Sequence, residues 1–300
     1  MKVSEFKTAG KLITGLGAIK ALTDEMARLS IKECAIVTDK GVSSSGLLDQ
    51  LLTLLPSSPL LIIDDIPPEP EVNIIEDKLA ILREKQVDGI IALGGGSAID
   101  SAKVLAATYD HTGSLSELFG ENTLSKRRLP LIVIPTTAGT GSEVTNIAIL
   151  SDPIAQMKKG IVSPCLLPDV AIVAPEMTKT CPQSITAASG IDAFVHALEA
   201  YISVNASPIT DALAEKALKL IFNSLLHAYN NGENLSARED MATGSLMAGL
   251  AFGNAGVGAV HALAYPLGGR FHLSHGMSNA VMLPHVLKVN APFCQDKLYC

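Results

Sequence analysis

Asp192 and His196 stand four residues apart in the segment 189–199, SGIDAFVHALE. On a helix that spacing places both side chains on one face, one turn apart. A carboxylate and an imidazole so placed can reach one cation. A surface hydrogen bond between residues i and i+4 uses the same spacing, so the pair alone does not decide. His261 adds weight, because it lies in the apolar run 256–263, where a buried imidazole needs a partner. His275 follows in SHGMSN, residues 274–279, with His272 as a rival for the same role. One aspartate and three histidines from separate segments suit Fe(II) or Zn(II) and leave a coordination position open. His111, His227 and His285 lack such company and read as ordinary polar residues.

A second chemistry is written around Gly94-Gly95-Gly96-Ser97. The apolar run 88–93 feeds into these glycines, and 98–103 opens a helical pattern. Consecutive glycines let a ligand approach the backbone without meeting a Cβ, and a helix start favours a phosphate. The pattern is not GxGxxG, so an ordinary Rossmann assignment is not supported; a tight connection would use the same glycines. Asp39 ends another apolar run, where its carboxylate could accept from ribose hydroxyls and would repel a 2′-phosphate, favouring NAD over NADP. A helix N-cap explains the same residue equally well. Residues 135–143, PTTAGTGSE, place hydroxyls and glycines after the run 129–134, where open sheets bind ligands. Together these segments favour a dinucleotide site.

The elements that must hold these residues change character along the chain. Short β-branched runs at 33–38, 59–63, 88–93, 129–134 and 170–173 alternate with helical patterns at 18–29, 46–54, 72–85 and 98–109. Near-continuous apolar strands between helices predict a parallel sheet covered on both faces. After Pro182 the strand signals stop, and 185–203, 208–231, 237–250 and 256–267 read as helices. The expected division is an α/β domain over 1–181 and an all-α domain over 182–300. A helical pattern still runs at residue 300, so the second domain is expected to be incomplete, a C-terminally truncated form.

The 300 residues are 48% hydrophobic and 18% charged, which excludes a disordered chain. A net charge of −7 with no Lys/Arg-rich run argues against a nucleic-acid partner. Five scattered cysteines without a CxxC pair read as reduced thiols of a cytoplasmic protein. No signal-peptide pattern opens the chain. Residues 241–269 carry no Asp, Glu, Lys or Arg, a length able to span a bilayer. Asn254, His261, Pro266 and seven glycines in that stretch favour a pair of buried helices, so no membrane partner is expected.

Four segments together resemble the iron-containing (group III) alcohol dehydrogenase family: GGGSAIDSAK at 94–103, PTTAGTGSEVT at 135–145, SGIDAFVHALEAY at 189–201 and HALAYPLGGRFHLSHGMSNAVMLPHV at 261–286. The resemblance implies an α/β dinucleotide domain followed by an all-α metal domain in a dehydroquinate synthase-like architecture, with the active site in the cleft between them. It places the metal on Asp192, His196, His261 and His275. It places NAD on Asp39, Gly95, Gly96, Ser97, Asp100, Thr136, Thr137 and Lys158. It implies Fe2+, with Zn2+ as the other candidate, an alcohol or aldehyde substrate, and a homodimer. Tyr265 stands where some members carry a second histidine, which removes an imidazole proton relay, and Ala174 replaces an aspartate found in many members.

The activity so implied is hydride transfer between an alcohol–aldehyde pair and NAD. Two alternatives stand beside it. A lyase of the dehydroquinate synthase type would use NAD transiently without net NADH, although the 135–143 and 275–286 motifs speak against it. A catalytically impaired nucleotide-binding or assembly component would follow from an incomplete helical domain.

Overall fold

The computed structural model describes residues 3–271 and 273–298. They divide into two compact units: an α/β unit of 9–136 and 142–180, and a helical unit of 1–8, 137–141 and 181–300.

In the α/β unit the chain runs β1 (Leu12–Thr14), α1 (Leu22–Arg28), β2 (Cys34–Val37), α2 (Lys40–Ser44), α3 (Leu47–Leu52), β3 (Leu61–Ile63), α4 (Val72–Lys85), β4 (Gly89–Gly94) and α5 (Gly96–Ala107). It continues through β5 (Gly120–Glu121), β6 (Leu131–Pro135), β7 (Ile147–Asp152), β8 (Met157–Val162) and β9 (Val170–Val173). Six strands form one parallel sheet in the order β1-β9-β6-β4-β2-β3. The strands β2, β4, β6 and β9 are buried at every residue, as their near-continuous apolar composition requires. From β2 the chain steps outward to β3, then returns to place β4 on the other side of β2. That reversal is the topological switch point, and ligands bind open sheets outside the carboxyl ends of such strands.

The sequence patterns do not predict the edge strand β1 or the small sheet β5-β8-β7, in which β7 and β8 pair antiparallel. Strand β8 begins Met-Lys-Lys-Gly, which lacks β-branched residues and hides the alternation.

The helical unit comprises α6 (Gln183–Ile202), α7 (Pro208–Asn230), α8 (Leu235–Ala255), α9 (Ala259–Phe271) and α10 (His275–Asn290). Helices α6, α7 and α8 share a core that includes Ala193, Ala197, Ile221, Met241 and Ala248. Val195, Val260 and Val286 join α6, α9 and α10 in a second, smaller core. Small residues set the close approaches. A Cβ on Gly190 would lie 2.3 Å from Leu225 Cδ1, and one on Gly276 would lie 1.9 Å from the Ala188 carbonyl oxygen. Gly276 follows His275 directly, so this backbone contact brings α10 against α6 at the residue that must reach Asp192.

The uncharged stretch 241–269 is broken. Helices α8 and α9 meet at 104°, and no single helix among the described residues is long and apolar enough to cross a membrane; the bent pair passes that test by length and composition alone. Gly256, at φ +77°, makes the corner in a conformation that L side chains rarely adopt.

Candidate functional site

Helix α6 supplies Asp192, His196 and Glu199 from one face, α9 supplies His261, and α10 supplies His275 and Asn279. Asp192, His196, His261, Glu199 and Asn279 are all buried, while His275 keeps 28% of its side chain exposed. One ligand atom each from Asp192, His261 and His275 lies within 4.8 Å of the others. Asp192 Oδ1 is 3.5 Å from His261 Nε2 and 3.4 Å from His275 Nε2. Convergent donors of this kind, one oxygen and two ring nitrogens, fit a divalent cation of the Fe(II) or Zn(II) class.

His196 stands beside this trio. Its Nδ1 lies 4.0 Å from Asp192 Oδ2 and 3.3 Å from the Gly139 carbonyl, to which the ring N–H donates. That bond leaves Nε2 as the ring's acceptor. The imidazole stacks on Phe252 at 4.0 Å and on His261 at 4.3 Å between centroids. Gly139 can lie this close to α6 because it lacks a side chain; a Cβ there would sit 2.5 Å from Ser189 Cβ. His272 lies outside the described residues.

The protonation states favour ligation by Asp192 and His196 and set a proton against it at His261. Burial alone would raise Asp192, but the imidazoles of His196, His261 and His275 more than reverse this and hold it below the usual carboxylate range. Burial, reinforced by His261 and His275, pushes His196 down to about 3, so its ring is neutral with a free lone pair. Burial would lower His261 as well, yet its hydrogen bonds to Asp192 and Glu199 raise it to about 9.

Asn279 was not singled out by sequence reasoning. Its Nδ2 donates to Asp192 Oδ1 at 2.7 Å and lies 3.3 Å from His261 Nε2 and 3.4 Å from His275 Nε2. An amide N–H, the positive end of a dipole, thus sits among the ligating atoms of all three residues. Asn279 Oδ1 is buried with no hydrogen-bond partner. This orphaned oxygen and convergent donors crowded around a partial positive charge mark a site built for a cation. The sequence signal was available, since Asn279 lies one turn after His275 on α10.

In the α/β unit, Asp39 and the glycine turn stand at the carboxyl ends of β2 and β4, the two strands that flank the switch point. A Cβ on Gly94 would lie 2.7 Å from Ala98 Cβ and 3.3 Å from Asp39 Oδ2, so no side chain fits there. Asp39 Oδ1 accepts from Val42 N–H at 2.9 Å and caps α2, which realises the structural role its position also allowed. Gly95 caps α5, and Gly96 and Ser97 form its first turn. Ser97 Oγ accepts from Glu69 N–H at 3.1 Å, and Glu69 Oε1 pairs with Lys158 Nζ at 2.6 Å. Lys158 is therefore linked to the glycine turn through one residue, whereas Lys159 pairs with Asp152. Thr136 is buried, its N–H bonded to the Gly94 carbonyl. Thr137 opens the 137–141 segment of the helical unit.

Asp100 points elsewhere. Ser142 Oγ–H donates to its Oδ1, Ile149 N–H donates to its Oδ2 at 2.9 Å, and Lys103 Nζ lies 3.6 Å away. Both carboxylate oxygens are engaged by the chain's own groups.

An α/β unit with a glycine turn at its switch point, and a helical unit with a buried His/Asp donor set, define a nucleotide- and metal-dependent class of protein. Comparison with known proteins narrows it. Residues 9–175 match the family model of iron-containing alcohol dehydrogenase, and residues 186–299 match the C-terminal model of the same family. The chain belongs to the iron-containing alcohol dehydrogenase family. It is 47% identical over 289 residues to long-chain-alcohol dehydrogenase 1 of Geobacillus thermodenitrificans, covering 95% of this chain and 73% of that one. The crystal structure of a 1,3-propanediol oxidoreductase superposes with a TM-score of 0.92 at 39% identity, covering 97% of this chain and 76% of the other. The structure of sulfoacetaldehyde reductase from Bifidobacterium kashiwanohense in complex with NAD+ gives a TM-score of 0.92 at 31% identity, covering 97% and 77%.

Proposed function

We propose that this protein is an NAD-dependent, metal-dependent oxidoreductase that interconverts an alcohol and its aldehyde. The observation that carries the reading is the meeting of Asp192, His261 and His275 donor atoms within 4.8 Å, drawn from three helices of a family member. Asp192, His261 and His275 would hold the cation, with His196 as the fourth ligand presented by its neutral ring. Fe2+ is the proposed ion, and Zn2+ would accept the same donors. Bound there, a divalent cation supplies Lewis acidity toward an alcohol or carbonyl oxygen, and the nicotinamide carries the hydride chemistry.

The protein's own contribution is positioning and exclusion of water. Phe252 covers one face of His196, so that ring cannot turn into solvent. His275 is the exposed member of the set, and Tyr265 stacks on it at 5.4 Å, which marks the side from which a substrate oxygen arrives. For NAD the proposed contacts are Asp39, Gly95, Gly96, Ser97, Thr136, Thr137 and Lys158. Asp100 belongs to the set by family resemblance and would act through α5, since its oxygens are already engaged. The proposed functional domains are 1–181 for the dinucleotide and 182–300 for the metal. A homodimer, on family resemblance, and a cytoplasmic location, on the scattered cysteines, complete the proposal.

The test is oxidation of a panel of short alcohols, diols and long-chain alcohols by protein loaded anaerobically with Fe2+, followed at the NADH absorbance band. Net NADH with at least one alcohol is the expected result. Full metal occupancy with no turnover of any alcohol or aldehyde would sink the reading. NAD retention without net NADH would point to lyase chemistry.

A further inference from the structure

Glu199 is a buried carboxylate, 3% exposed, outside the ligand set. It lies three residues after His196 and seven after Asp192 on α6, so it continues their face of the helix. Its Oε2 accepts the Nδ1–H of His261 at 2.6 Å and the N–H of Gly258 at 2.9 Å, while Oε1 accepts the N–H of Val260 at 2.7 Å. The two backbone donors stand at the start of α9, where N–H groups have no partner within their own helix. A Cβ on Gly258 would lie 2.8 Å from Glu199 Oε1, so glycine is what admits the carboxylate.

We propose that Glu199 is the positioning residue of the metal centre, the group that aims His261. By accepting the Nδ1–H it fixes the rotation of the ring and turns Nε2 toward Asp192 and His275. By accepting from Gly258 and Val260 it anchors the start of the helix that carries the ring to the helix that carries Asp192. The hydrogen bond made by one ring nitrogen decides which nitrogen ligates, and a carboxylate acceptor raises the ring's basicity. His196, by contrast, donates to the neutral Gly139 carbonyl. The inference rests on the metal reading above.

Two variants and one resonance test it. In the Zn2+-loaded parent, the His261 Nδ1 proton is expected as a downfield NMR signal in slow exchange with water. Glu199→Gln is expected to weaken Zn2+ binding about 10- to 100-fold in chelator competition, and to speed exchange of that proton. Gly258→Ala, which keeps the carboxylate but crowds it, is expected to weaken binding less. Both variants binding within about twofold of the parent, or a Zn2+-loaded parent whose His261 proton is unprotected, would overturn the proposal; the second result stands even if a variant fails to fold. A parent that holds no divalent cation removes the metal reading itself, an outcome distinct from an intact metal site indifferent to Glu199.

Discussion

Each unit buries a group of charges, and the two groups end differently. In the α/β unit, Lys103 is fully buried and its ammonium meets Ser142 Oγ at 3.0 Å, Thr145 Oγ1 at 3.2 Å and the Ile147 carbonyl at 2.9 Å. Asp100 answers its charge, and both oxygens of that carboxylate are engaged. The ammonium and both Asp100 oxygens have partners within the unit, and the cluster ties α5 to the 142–149 segment. In the helical unit, Asp192, His261 and His275 bring their donor atoms within 4.8 Å of one another around the Asn279 amide. A network in which one cation is met by its own counter-charge and hydroxyls is scaffold, and one that gathers a carboxylate and imidazoles from three helices at one point is a candidate site. Charge burial alone does not distinguish them, but the convergence of metal-ligating atoms on one point does.

The largest effect that would test this contrast is in the scaffold. Lys103→Met leaves Asp100 and Glu143 without their cation, and removal of one partner of a buried pair costs about 3–5 kcal/mol. Urea denaturation should show a loss of that order, with metal affinity per folded molecule unchanged; a stable Lys103→Met protein would show the cluster to be dispensable.

Next comes His261→Ala, expected to lower metal affinity by at least about 10-fold, since a ligand matters no less than the groups that orient it. Metal analysis after dialysis against a graded chelator reads this directly. Retention of metal at parental affinity would remove His261 from the ligand set.

A smaller, graded effect follows from pH. His261 rises from 6.5 to about 9 in the metal-free fold, despite burial, through Asp192 and Glu199. The bound proton therefore stabilises the metal-free protein fully below pH 6.5, and that contribution disappears as pH rises through about 9. His196 has the opposite sign: burial lowers it to about 3, so its contribution is complete above pH 6.5 and is lost as pH falls toward 3. A cation that takes His261 Nε2 must displace its proton, so affinity should climb by about tenfold per pH unit for one proton. Chelator competition at several pH values between 6.5 and 9 checks this, and a flat profile would show that no proton is exchanged there.

The smallest effect belongs to Asp39. Asp39→Ala removes the α2 cap and should cost about 1 kcal/mol of stability. If the carboxylate also meets the ribose, the variant should discriminate less between NAD and NADP in titration, whereas loss of stability alone would leave it as a cap.

What was legible in the sequence follows from how each signal is made. The parallel sheet showed itself because strands buried on both faces are continuously apolar, as in Ile90–Ile91 and Ile132–Ile134. The helical half showed itself through long Ala- and Leu-rich patterns. Asp192 and His196 stood out by their helical spacing and His261 as a polar residue in an apolar helix, expensive to bury without a partner, whereas His275 was separated from His272 only by the family resemblance. Glu199 and Asn279 lay inside the same motifs and went unread, since an acidic residue near a helix C-terminus and an amide in a helix ordinarily signal a solvated face. Only coordinates reveal that their partners come from Gly258, Val260 and Asp192. The β7–β8 pair was hidden by adjacent lysines whose roles differ, with Lys158 on Glu69 and Lys159 on Asp152.

The corner at Gly256 also bears on how the chain is made. A ribosome delivers residues 241–269 as one uncharged ribbon before any bend exists, a hazard for a nascent polypeptide. The order of synthesis answers part of it: α6 and α7 emerge first, so the packing partners of α8, and the carboxylate that receives the start of α9, precede the ribbon, while α10, on which α9 also packs, follows it.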